Sequence, residues 1–242
     1  MLTYEILTSS GEREYNEDYA KAAWNNGAYC FVLADGLGGH GGGAEASKLV
    51  AEHILEDFKE HGEVTEAYLK KCFEESQEAL LKEQERKNCV NEMKTTLVVL
   101  LADEHTVRWG HIGDSRLYYF KNHRLIQRTF DHSVPQMLVA AGEIEEGQIR
   151  GHADRNRLLR VMGTEWETPR YQLAESRERE AGDVFLLCTD GFWEWIVEKE
   201  MLLCLKKSKT PGEWLKRMER EIRKNGSGKG MDNYTALAVY ME

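Results

Sequence analysis

Ten residues of this 242-residue chain, Ala34-Asp35-Gly36-Leu37-Gly38-Gly39-His40-Gly41-Gly42-Gly43, set one carboxylate before six glycines. An apolar run, Tyr29-Cys30-Phe31-Val32-Leu33, leads in as a buried strand, and a helical pattern begins at Ala44. The carboxylate is therefore expected where a strand stops. Glycines free the backbone for positive φ and remove the Cβ atoms that would hold a ligand away, which suits a metal ion or a phosphate. Three other readings compete. Asp-Gly alone is usually a hairpin turn, but this run is too long and glycine-rich for two residues. Gly36-Leu37-Gly38-Gly39-His40-Gly41 fits G-x-G-x-x-G, yet the chain that follows reads as helix to about residue 86 rather than as helix then strand with an acidic cap. A Walker loop would need Gly-Lys-Ser/Thr, which is missing here.

The same placement recurs. Residues 107–112 run into Asp114, residues 184–189 into Asp190, and Asp232 precedes a strand over residues 234–240. Each Asp by itself is a turn residue or strand cap. Strands that end at one rim of a sheet would bring all four carboxylates together, and like charges at close range raise one another's pKa. Divalent cations resolve that conflict, and an all-oxygen donor set with no His or Cys favours Mg²⁺ or Mn²⁺ over zinc.

The elements that must hold these residues follow from periodicity. Residues 2–8 read as a strand turned by Ser9-Ser10-Gly11, and the polar run from Glu12 to Asp18 leads to a second extended piece near residues 19–24. Ala46, Leu49, Val50, Ile54 and Phe58, then Tyr68, Leu69, Cys72, Phe73 and Leu80, recur at helical spacing, giving two amphipathic helices joined at Gly62. From Lys94 the period changes, and residues 95–102, 107–112, 116–120 and 125–128 read as one antiparallel meander. Residues 133–166 read as a surface excursion with a short helix over 136–141. A helix over 211–222 opens on Thr210-Pro211-Gly212-Glu213, with an N-cap, a first-position Pro and a Glu at the third.

A net charge of −10 argues against a nucleic-acid surface. Five cysteines without Cys-x-x-Cys spacing, mostly in apolar segments, point to buried free thiols in a reducing compartment. With no leader pattern and no apolar run of membrane-spanning length, the expectation is a soluble cytoplasmic protein forming one domain.

Arg13-x-x-Asn16-Glu17-Asp18, Asp35-Gly36-Leu37-Gly38-Gly39-His40, Thr95-Thr96, Gly113-Asp114-Ser115-Arg116, Asp131-His132-Ser133, Cys188-Thr189-Asp190-Gly191-Phe192-Trp193 and Asp232-Asn233-Tyr234-Thr235 closely resemble, in order, the motifs of the metal-dependent serine/threonine protein phosphatases (PPM, or type 2C), bacterial branch. The resemblance spans residues 13–235. It implies an α+β fold, a four-layer α-β-β-α sandwich of two antiparallel sheets between helix pairs, with residues 1–242 as a single catalytic domain and a flap over roughly 131–166. It implies two Mn²⁺ or Mg²⁺ ions, with Asp35 bridging, Glu17, Asp18 and the Gly36 carbonyl at the second ion, Asp190 and Asp232 at the first, and Asp114 with Asp190 at a third, looser position. Arg13 matches the arginine that holds the substrate phosphate. The implied activity is hydrolysis of phosphoserine and phosphothreonine by direct attack of a metal-bridging hydroxide, on phosphoproteins made by a serine/threonine kinase, by a monomer.

The chain departs from that pattern in places. Many eukaryotic members of the family carry a histidine, the proposed proton donor, directly after Asp-Gly; here Leu37 stands there, and His40, three residues on, could act through a water or stabilise the loop. Glu194 stands where many relatives have Asp. Trp193 and Trp195 read as packing against the sheet end. His152, Arg155, Asn156, Arg157 and Arg160 offer polar contacts from the flap-like region, whose default reading is a solvated loop. Two alternatives remain: an enzyme of the same fold acting on a specialised non-protein or regulator substrate, and a non-catalytic relative that binds phosphoproteins. The second would be favoured by loss of a ligand Asp, and none is lost.

Overall fold

The computed structural model describes residues 2–38, 41–90 and 92–242. The strands are β1 (Leu2–Ser9), β2 (Asp18–Asn25), β3 (Ala28–Leu37), β4 (Lys94–Thr95), β5 (Leu97–Ala102), β6 (Thr106–Ile112), β7 (Arg116–Lys121), β8 (Arg124–Arg128), β9 (Gln172–Leu173), β10 (Arg177–Glu178), β11 (Asp183–Cys188) and β12 (Tyr234–Met241). The helices are α1 (Gly42–His61), α2 (Glu66–Lys87), α3 (Val134–Ala140), α4 (Asp190–Trp193), α5 (Glu198–Lys206) and α6 (Pro211–Gly226). One sheet has the order β1-β12-β11-β7-β8 and the other β10-β6-β5-β3-β2, with β4 on β3 and β9 on β6.

The layering follows from strand alternation, because successive side chains leave a strand on opposite faces. Phe31 and Leu33 of β3 meet Leu117, Phe185, Leu187, Leu237 and Val239 of the other sheet in the central core. Their neighbours Cys30 and Val32 pack instead under Val50, Ile54, Phe58 and Phe73 of α1 and α2. On the opposite side Tyr118, Phe120 and Leu186 lie under Trp214, Met218 and Ile222 of α6. Strands buried on both faces read as continuous apolar runs, and the result is the expected α-β-β-α sandwich of antiparallel sheets.

α1 and α2 meet at Gly62, whose φ of 64° closes α1 with a bond to the Phe58 carbonyl. α6 begins on the predicted cap, Thr210 accepting from the Glu213 N–H. All five cysteines are unpaired.

Three expectations are corrected. β3 does not stop at Asp35; it continues to Leu37 because Gly36 and Leu37 pair with Thr95 and Lys94. The stretch from residue 95 to 128 is not one meander, since β5 and β6 belong to one sheet while β7 and β8 belong to the other. The crossing occurs at Gly113, where φ is +101° and an added Cβ would lie 2.5 Å from Thr96 Cγ2. Residues 133–166 are more than a surface excursion: Ile149 is buried with the α5–α6 layer and Met162 with the α1–α2 layer. His40 lies outside the described residues.

Candidate active site

The sheet rims carrying the acidic residues enclose a cavity of about 990 Å³, and its lining includes Arg13, Glu17, Asp35, Gly36, Asp114, Asp190 and Asp232. Seven of the eight residues expected at the site thus share one cavity wall. The eighth, Asp18, is the cross-strand partner of Asp35 but sits behind the wall.

Asp35 is fixed by backbone and hydroxyls together. Its N–H donates to Thr96 Oγ1 at 3.0 Å, and its carbonyl accepts from Thr96 N–H at 2.9 Å and from Thr95 Oγ1 at 2.8 Å. Gly36 lies so close to α1 that a Cβ would stand 2.2 Å from the Gly43 carbonyl oxygen, which explains glycine at both positions. That contact also brings Glu17 in, for the Gly36 N–H donates to the Glu17 carbonyl at 3.1 Å and Ser47 Oγ donates to it at 2.6 Å. Asp114 follows the Gly113 crossing and is 5% exposed. Its carbonyl accepts from Trp193 Nε1 at 3.0 Å, so Trp193 packs at the sheet end as expected and also ties α4 to the turn between β6 and β7.

Asp190 opens α4 straight after β11, and Asp232 leads into β12, the strand beside it. Arg13 Nη2 donates to Asp232 Oδ2 at 2.9 Å across the chain ends. Asn233 joins the same ends: its Oδ1 accepts from Glu17 N–H at 2.8 Å and its Nδ2 donates to the carbonyls of Ser10 and Tyr15. Asp18 Oδ2 accepts from Thr189 Oγ1 at 2.9 Å, while its buried Oδ1 has no partner. Asn233, Thr96 and Thr189 stand inside the recurring motifs, but their positioning roles were not legible without coordinates.

Burial first and mutual repulsion second push these carboxyl groups upward. Asp35 and Asp114 rise well above the ordinary carboxylate range, Asp18 reaches about 8 and Asp190 about 7.

Among the described residues no group of three or more His, Cys, Asp or Glu side chains stands in a ready-made metal-holding arrangement. The chemistry nevertheless fits: carboxylates, one backbone carbonyl, an unpartnered buried oxygen on Asp18 and strong mutual repulsion are what Mg²⁺ or Mn²⁺ would satisfy.

Other expected residues are placed differently. Leu37 lines the cavity and offers no proton. Glu194 is bound by Arg155 Nε at 2.7 Å, which occupies its carboxylate from the flap side. Of the polar flap residues only Asn156 joins the cavity lining, where Leu158 accompanies it. Arg157 instead pairs with Asp154 at 3.3 Å, and His152 Nδ1 accepts from the Asp154 N–H.

The family model for protein phosphatase 2C matches residues 10–231, and the chain belongs to that family. It is 33% identical over 242 residues to the serine/threonine phosphatase stp of Listeria monocytogenes, covering 97% of this chain and 94% of that one. The crystal structure of the Mycobacterium tuberculosis serine/threonine phosphatase PstP/Ppp superposes with a TM-score of 0.85 at 31% identity, covering 100% of this chain and 99% of that one. A second structure, the catalytic domain of PstP in complex with two manganese ions, gives a TM-score of 0.83 at 29% identity, covering 100% and 99%. No described helix is long and apolar enough to cross a membrane.

Proposed function

We propose that this chain is a metal-dependent protein-serine/threonine phosphatase, with residues 1–242 as its catalytic domain and residues 131–166 as a flap beside the cavity. The observation that carries the reading is one cavity wall bearing Asp35, Asp114, Asp190 and Asp232, with Arg13 at its rim. Family membership and the full-length likeness to serine/threonine phosphatases support it.

Asp35, Glu17, the Gly36 carbonyl, Asp190 and Asp232 would hold two Mn²⁺ or Mg²⁺ ions, with Asp18 and Asp114 as further oxygen donors. Bound there, the ions supply Lewis acidity and bring the pKa of water towards neutrality. The protein's own part is orientation. Thr95, Thr96 and Gly36 fix Asp35 through its backbone, Thr189 orients Asp18, and Asn233 joins Glu17 to the Asp232 strand. Arg13, half-exposed at the rim, presents two guanidinium donors to the phosphate oxygens of bound substrate. Leu37 in the cavity lining supplies no proton for the leaving alkoxide, and that role is left unassigned.

The substrates are phosphoproteins made by a serine/threonine kinase, handled by a monomer. The test is hydrolysis of p-nitrophenyl phosphate and a panel of phosphothreonine peptides with and without Mn²⁺. Turnover should need the metal and vanish with chelation; metal-independent or absent turnover refutes the reading.

A further inference from the structure

Glu12 is exposed, next to Arg13 in sequence, and takes no part in the site described above. Yet its carboxylate accepts three backbone hydrogen bonds. Oε1 accepts from the Gly228 N–H at 2.5 Å, and Oε2 accepts from the Gly230 N–H at 2.7 Å and the Met231 N–H at 3.3 Å. The Glu12 N–H donates in return to the Met231 carbonyl at 3.0 Å.

The loop is shaped for this. Gly228 and Gly230 both have left-handed φ, 77° and 76°, although nothing within 4 Å would obstruct a Cβ at either position. Glycine is therefore needed there for conformation alone, and the conformation turns the N–H groups of residues 228, 230 and 231 towards one anion, while the Lys229 N–H donates to the Gly226 carbonyl. The loop begins at the end of α6 and ends one residue before Asp232. Glu12 lies one residue before Arg13, which in turn reaches Asp232 Oδ2.

We propose that Glu12 is a positioning residue, an internal anion seated in a backbone nest at residues 228–231 that fixes Asp232 and Arg13 relative to each other. The proposal rests on the phosphatase reading for the roles of those two residues. A carboxylate suits the nest because it offers two acceptor oxygens to three donors; a neutral amide offers one, and turns its own N–H groups against the backbone N–H groups.

The experiment compares wild type with Glu12→Ala and the isosteric Glu12→Gln. Calorimetric titration of the metal-free protein with Mn²⁺ should give a Kd raised about tenfold in Glu12→Ala, the lower end of the loss seen when a metal ligand's supporting contact is removed. KM for p-nitrophenyl phosphate should rise severalfold, while kcat at saturating metal and substrate stays within about twofold. Glu12→Gln should fall between. Sodium formate, against sodium chloride at equal ionic strength, should restore part of both affinities to Glu12→Ala by refilling the nest and leave wild type unchanged. Unchanged Kd and KM in a folded Glu12→Ala, a loss confined to melting temperature or to kcat, or no response to formate would each overturn the proposal. Wild type lacking Mn²⁺-dependent turnover would instead refute the phosphatase reading, and the titration and formate arms would still decide the role of Glu12.

Discussion

Two charged regions lie a few residues apart in this molecule and have solved burial in opposite ways. Around Arg116 the protein neutralises itself. The guanidinium donates to both oxygens of Asp131, at 2.8 and 2.7 Å, gives a third bond to Tyr118 Oη, and stacks 3.5 Å over the Trp193 ring. Its side chain and that of Asp131 are 2% and 1% exposed. Asp114, two residues from Arg116, belongs to the other region. There the carboxyl groups of Asp35, Asp114 and Asp190 face one another, and Arg13 reaches only Asp232 at the rim. The first arrangement is an ion pair with matched partners, costly to break and inert in chemistry. The second concentrates negative charge where a cation from solution can enter. Burial of charge thus marks function only where the balancing charge is left to a ligand.

The strongest way to break this contrast is Asp35→Asn. Activity with Mn²⁺ should fall by about 10³-fold or more, some 4 kcal/mol of barrier, while the metal-free protein gains about 1 kcal/mol at pH 8 as repulsion is relieved. Kinetics and urea unfolding on the same preparation read both, and retained turnover would refute the assignment. Arg116→Met should do the reverse, destabilising the fold by about 3 kcal/mol because buried Asp131 keeps only the longer 3.5 Å contact from Arg128. An unfolding midpoint equal to wild type would show that the two regions are not distinct in kind. Arg13→Ala, at the exposed edge, should raise KM about tenfold and change kcat less, the value of a charged hydrogen bond made mainly to bound substrate; the opposite split would move its role to the transition state.

The smallest effect belongs to the boundary between the regions. His132 stacks on His111 with ring centroids 4.6 Å apart, and its Nδ1 accepts from the Gly113 N–H. Burial first, then the neighbouring His111, lowers its pKa to about 3. Between that value and the unfolded pKa of about 6.5 the unfolded chain holds the extra proton, so this imidazole's contribution to stability is present above pH 6.5 and lost as pH falls. His132→Asn, which keeps an acceptor for Gly113, should flatten the stability slope by about 1 kcal/mol between pH 6.5 and 5. Identical slopes in urea titrations would remove the imidazole from the account.

Much of this was legible beforehand because strand periodicity and the Asp positions are local signals. The α1–α2 pair, the cap at Thr210 and the rim location of Asp114, Asp190 and Asp232 all follow from short windows. What failed depends on distant partners. β3 outlasts Asp35 only because Lys94–Thr95 returns beside it, and nothing between residues 29 and 43 encodes that. Gly113 reads as a turn in any context, so the change of sheet behind it was invisible. The Arg116–Asp131 pair was hidden for the same reason: both residues stood in quoted motifs, but their union needs β7 and the segment after β8 to be in place.

β12, the last strand in order among the described residues, is not added at an edge. It inserts between β1 and β11, pairing Leu2 with Met241 at one margin and Cys188 with Ala236 at the other. Until residues 234–241 pair with both neighbours, β1 has no connection to β11 within the sheet, and closing it joins segments more than 200 residues apart, a long-range and slow event. Because Asp232 arrives with that strand, a copy that has not yet paired residues 234–241 has no complete acidic wall.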